Sequence, residues 1–169
     1  NSVTADGTLD KSTLTATDDS NIINGSYVSG TDITISDTDG DGVAPGLDIY
    51  GNALTTVEGD VNMAVDGRIY VNTNGKLALD GDKEGDNTRD ASVTADSLVL
   101  NDIYDKQASI ANAQVAVTTK TMLKDGNTLT LDSVNSAEGE SAGTLGDLLQ
   151  MGDPDVQDNN GNWSEAGIT

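Results

Sequence analysis

The sequence predicts an all-β protein, either a β-solenoid or an elongated β-sandwich of short strands, with at most one or two short helices. Three observations lead there. Ten or more short segments, most of them four or five residues long, alternate apolar and polar side chains with period two, and they are rich in Val, Ile, Thr and Leu. Gly, Asn and Asp separate these segments almost everywhere, and 19 glycines against two prolines suit short strands and tight turns. Only one stretch has a helical phase.

Taken in order, residues 1–20 are polar, with Thr13–Ala16 and its neighbour Thr17 as the first short strand. Asp18, Asp19, Ser20 and Asn21 make a turn before residues 22–28 resume an extended pattern. Thr31 to Ser36 alternates as a strand. After an acidic loop come further segments at 47–50, 53–57, 61–65, 68–71 and 76–79. Asp66-Gly67 and Asn74-Gly75 flank the 68–71 segment. Such dipeptides favour type I′ hairpins, because both central residues take positive φ. They predict an antiparallel meander over 61–79, or else the corners of a parallel solenoid. Residues 80–90 form a second acidic loop with Lys83 and Arg89 placed to pair internally. Strands return at 92–95, 97–100, 114–119 and 127–132, and residues 104–113 fit either a helical turn or more strand. Residues 133–143 read as a Ser-, Glu- and Gly-rich loop. The helical phase is at 144–151, where Thr144 is placed to cap the amide of Asp147 and Leu145, Leu148 and Leu149 share a face. The tail carries Asp153, Asp155 and Asp158, again at near-alternate spacing. The expected organisation is one β-rich domain over 1–143, with a short helix and acidic tail (144–169) packed on it.

Composition limits the function. There is no Phe, one Trp and four Tyr, and hydrophobic residues are 35% of the chain, so any core is narrow and aliphatic. With no Cys and no His, disulfides, thiolate or imidazole metal sites and Ser-His-Asp chemistry are excluded. A formal net charge of −21 argues against nucleic acid and anionic membranes, since no basic patch exists to meet phosphate. It argues for divalent cations or salt as neutralising partners. No apolar run approaches a membrane span and no signal peptide is visible. The chain opens at Asn1 without a methionine, as it would after removal of a leader or as a piece of something longer.

The stretch Asp37-Thr38-Asp39-Gly40-Asp41-Gly42-Val43-Ala44-Pro45-Gly46-Leu47-Asp48 carries the chemistry. Carboxylates at the first, third and fifth places with glycine at the sixth form a calcium-loop pattern. Ca²⁺ takes six to eight oxygens, and alternate residues of a tightly turning chain aim theirs at one centre. Gly42 admits the positive φ such a turn needs. The expected metal ligands are Asp37, Asp39, Asp41 and Asp48 through side chains and Val43 through its carbonyl, with Ca²⁺ as the cofactor. The loop resembles the DxDxDG runs of thrombospondin type 3 repeats and the loop of an EF-hand. It departs from the EF-hand in having Asp at the twelfth place and strands rather than helices on either side.

Residues 7–16 and 91–100, with their Leu-Thr-Ala and Val-Thr-Ala wording, resemble the β-helical passengers of filamentous haemagglutinins and autotransporter adhesins. That resemblance implies an extracellular structural or adhesive protein, a subunit or segment of a surface fibre, filament or layer. It implies a homo-oligomer or homopolymer as partner, together with glycans or a host or cell surface. A second class is a carbohydrate-binding β-sandwich with Tyr50, Tyr70 and Trp163 on one face. A third is a polysaccharide-active β-helix enzyme, but nothing selects two of the 29 acids as a catalytic pair, so no enzyme is expected.

Overall fold

The computed structural model describes residues 4–10, 13–51, 55–81, 91–124, 126–132, 134–136, 150–157 and 163–165. Its strands are parallel in every pairing but the last. They form three lines along a coiling chain, which makes the fold a parallel β-solenoid rather than a sandwich. The first line stacks β2 (Thr13–Ala16), β4 (Asp32–Ile35), β7 (Asn62–Val65) and the first half of β10 (Ala91–Leu100). It continues into the first half of β12 (Ala113–Lys124) and β14 (Asn135–Ser136). The second line begins with β1 (Thr4–Asp10) beside β3 (Ser20–Ser29), then β5 (Gly46–Gly51) and β8 (Arg68–Thr73). It runs on through the second halves of β10 and β12 to β15 (Gln150–Gln157). The far end of β3 opens the third line, followed by β6 (Thr56–Gly59), β9 (Leu77–Asp80), β11 (Gln107–Ala111) and β13 (Thr128–Asp132). One short strand, β16 (Trp163–Glu165), turns back antiparallel on β15.

Successive coils place like on like. Leu14, Ile33, Met63, Val93 and Val115 form one column, and Ile23, Ile49, Val71, Leu100 and Leu123 a second. Val28, Val57, Leu77, Ala108 and Leu129 form a third. The side chains of these columns are buried, apart from the partly buried Leu14. Each buried Ile or Leu contributes about 1.5–3 kcal/mol relative to exposure. An aliphatic core suffices because the interior is only one coil wide. Outward positions stack too: Asn62 Nδ2 donates to Asp32 Oδ1 at 2.8 Å, and Ser92 Oγ donates to Asn62 Oδ1 at 2.9 Å.

Two sequence expectations change here. The meander over 61–79 does not form: β7, β8 and β9 pair only with the coils before and after them. Gly67 and Gly75 are corner residues needed for close approach. A Cβ at Gly67 would lie 2.6 Å from the Ala44 carbonyl oxygen, and one at Gly75 1.9 Å from that of Thr55. The helix expected at 144–151 is also not what its described end shows, since Gln150 and Met151 begin β15, in register with Ala116 and Val117. Its remaining residues, 144–149, lie outside the described part, as do 82–90 of the second acidic loop and Asp158 of the tail. The uncertain stretch at 104–113 resolves into a three-residue turn, Tyr104–Lys106, and then β11.

Coil length explains why the repeat was hard to see. In the first line Thr13, Asp32, Asn62, Ser92, Gln114 and Asn135 follow one another at steps of 19, 30, 30, 22 and 21 residues. The acidic loop after β4 lengthens the second coil, and the segment after Gly81 lengthens the third.

Candidate metal centre

The acidic loop leaves the solenoid after Ile35 and rejoins it at Gly46, where β5 begins. Its geometry comes from the corners on either side. The Gly46 amide donates to the Asp19 carbonyl at 2.9 Å, tying the loop to the preceding coil. The Gly67 amide donates to the Pro45 carbonyl at 2.9 Å, tying it to the following one. Three corners are therefore stacked, Asp18-Asp19 below, the loop between, and Asp66-Gly67 above.

Within the loop the carboxylates fold the backbone around themselves. Asp37 Oδ1 accepts from the Gly40 amide at 2.9 Å, Asp39 Oδ1 from Asp41 at 3.0 Å, and Asp41 Oδ1 from Val43 at 2.8 Å. The amide of Asp37 donates to Asp66 Oδ2 at 2.9 Å. Gly40 and Gly42 take φ of 72° and 85°, the left-handed region that side chains disfavour. One carboxylate oxygen from each of Asp37, Asp39 and Asp41 lies within 4.8 Å of the others, and all three residues are exposed. These three can hold a metal ion: hard oxygen donors at this separation match the coordination of a hard cation.

Asp48, expected to close the ring, is not part of this group. It lies in β5, in register with Tyr70, and its Oδ1 is 3.8 Å from Arg68 Nη2. Arg68 also sits 4.9 Å from the centre of the Tyr70 ring, so Asp48 belongs to a surface cluster on the second line. Val43 is exposed and its amide is the one engaged by Asp41.

Two acids that motif reading missed face the loop. Asp66 binds its backbone, and Asp19 feels its charge. The carboxyl of Asp19 titrates above its ordinary range, chiefly through repulsion from Asp41, with slight burial and then Asp39, Asp18 and Asp37 adding to it. The signal for both was present as turns at 18–20 and 66–67, but only the coil register puts those turns on opposite sides of residues 37–45.

No family model, curated protein or solved structure matches this chain.

Proposed function

We propose that this chain is a structural or adhesive segment of an extracellular surface fibre, filament or layer, held in shape by Ca²⁺ at the acidic loop and not catalytic. The supporting observation is the three-line parallel stack itself. It is a rod-like core with a Thr-, Asn- and Asp-rich exterior, and its end strands offer edges in the direction of growth. Among the described residues β1 and β2 each have one neighbour at the start, β13 and β14 each have one at the finish, and β16 covers the outer edge of β15. Open strand edges of this kind pair with other chains. The −21 charge opposes that pairing until cations or salt reduce the repulsion.

At the loop, Asp37, Asp39 and Asp41 give side-chain oxygens and the Val43 carbonyl a fourth. Asp19, across the corner, feels the charge of Asp41, Asp39 and Asp37 and adds to the negative field that draws a cation to the loop. Ca²⁺ suits this set better than Mg²⁺, which demands a tight octahedron and keeps its waters. The expected affinity is that of extracellular modules, on the order of 10⁻⁴–10⁻³ M.

Sedimentation velocity and negative-stain electron microscopy, with millimolar Ca²⁺ and with chelator, test the assembly. Ordered polymers or long oligomers in Ca²⁺ are expected. A stable monomer of 17.4 kDa under every condition would remove the fibre reading.

A further inference from the structure

The third line of strands carries a shallow trough away from the acidic loop. Four outward positions follow one another across adjacent strands in register: Glu58, Ala78, Ser109 and Thr130. The middle two are small, so the surface dips there. Two adjoining hollows of about 220 and 270 Å³ share Ala78 and Ser109 as common lining. One reaches Lys76, Tyr104, Asp105 and Gln107, and the other reaches Glu58 and Asp80. Together they run along β9 and β11 for roughly 13 Å, by the rise of an extended strand, which is longer than one pyranose ring.

The corner at one end of the trough is strained. Asp105 and Lys106 take φ of 53° and 55° in succession, though neither is glycine. Left-handed backbone in such residues is costly and gathers at ligand sites. Here it produces a bulge that holds Tyr104 out at the lip. The turn is braced by the Tyr104 amide donating to the Gly75 carbonyl at 3.2 Å and the Lys106 amide to the Ile103 carbonyl at 3.1 Å. Tyr104 is 52% exposed, the most exposed of the large hydrophobic residues described. Lys76 Nζ lies 5.8 Å from its centre.

We infer that this trough binds a neutral linear glycan, with one sugar ring against Tyr104 and the next over Ala78 and Ser109. The chemistry of the lining selects that class. A pyranose presents C–H faces that pack on an aromatic ring and on alanine, and hydroxyl edges that exchange hydrogen bonds with carboxylates, amides and hydroxyls. Gln107, Asp105, Ser109 and Thr130 offer those partners around one hollow. An anionic chain would meet the field of a −21 protein with one lysine of the lining in its favour. The open ends admit a polymer, whereas a compact cofactor would need enclosure.

The test is titration of monomeric protein in chelator, so that its outcome is separate from fibre formation and from Ca²⁺. Cellopentaose, laminaripentaose, maltopentaose and chitopentaose serve as neutral probes, and a sulfated heparin tetrasaccharide as the anionic comparison. Calorimetry reads affinity, and amide NMR shifts read location. Saturable binding of at least one neutral probe is expected, with shifts centred on Ala78, Ser109 and Gln107. Tyr104→Ala, and separately Ala78→Tyr, which fills the floor, should each weaken it at least tenfold with the melting temperature unchanged. The proposal fails if no neutral probe saturates, if the sulfated probe binds more tightly, or if both variants bind as the parent does.

Discussion

At Gly75 a missing side chain fixes a corner of the solenoid. The Thr55 carbonyl oxygen occupies the place where a Cβ would stand. Around it the interior is polar: Thr73 Oγ1 donates to that same carbonyl at 2.9 Å and accepts from the Gly75 amide at 2.9 Å. Two coils further on, Asn127 Nδ2 donates to the Leu100 and Asn101 carbonyls at 2.9 and 2.5 Å. Gly75→Ala is therefore expected to destabilise by more than about 3 kcal/mol, because backbone must move, as urea unfolding would measure. Asn127→Ala should cost about 1–3 kcal/mol by leaving buried carbonyls unpaired. Asp19 gives a pH effect of determinable sign. Its folded-state pKa lies above the ordinary value, so its contribution favours the folded state at low pH and is lost as pH rises through that raised value. In chelator, melting temperature should rise as pH falls from neutral toward the carboxylate range, and Asp41→Asn should flatten the rise. Little of this residue-level detail was legible. The Asp-Gly and Asn-Gly pairs look alike whether the glycine serves positive φ or close approach, and Gly67 and Gly75 turned out to serve the second.

The strands themselves were readable, because alternation within a short segment is set by burial on one face. Ile33 with Ile35, Ile49 with Leu47, and Leu77 with Leu79 point inward as their period-two spacing required. Their pairing was not readable. A parallel partner lies a whole coil away, and coils of 19 to 30 residues hide the repeat from a search at fixed spacing. The same gap explains the helical reading at 144–151, where leucines at i, i+3 and i+4 satisfied one template while register with β12 claimed Gln150 and Met151. A column member in the middle of the stack has close neighbours above and below. Ile49→Ala, between Ile23 and Val71, should cost about 2–5 kcal/mol. The loop before β5 places no such demand, so Thr38→Ala should change stability by less than about 0.5 kcal/mol, and chemical denaturation separates the two.

Across the whole molecule the dominant quantity is charge. The acids at Asp37, Asp39 and Asp41 were legible from spacing alone, whereas Asp19 and Asp66 required the stacked corners. The expected response to Ca²⁺ has two parts, a specific one at the loop and a diffuse one from screening. At free Ca²⁺ of 100 times the dissociation constant, the specific part would stabilise the fold by about 2.7 kcal/mol. Melting with Ca²⁺, Mg²⁺ or chelator, on the parent and on Asp39→Ala with Asp41→Ala, separates them. The parent should gain more from Ca²⁺ than from Mg²⁺, and the double variant should respond equally to both. An identical Ca²⁺ response in both proteins would assign the whole effect to screening.

The unequal coils have a consequence for how such a chain can vary. Between Ile35 and Gly46 the chain leaves the stack for ten residues, yet Ile35 still lies in register with Val65 and Leu47 with Ile69. Nine residues separate Gly81 from Ala91, and on either side of them Leu79 keeps its register with Ile110 and Ala91 with Ala113. Corners thus act as ports: sequence can be added there without altering the ladder on either side. An epitope, a recognition peptide or a second ion loop grafted at a corner would be displayed at intervals fixed by the coil rise. The rod is then a ruler whose markings can be rewritten independently of its length.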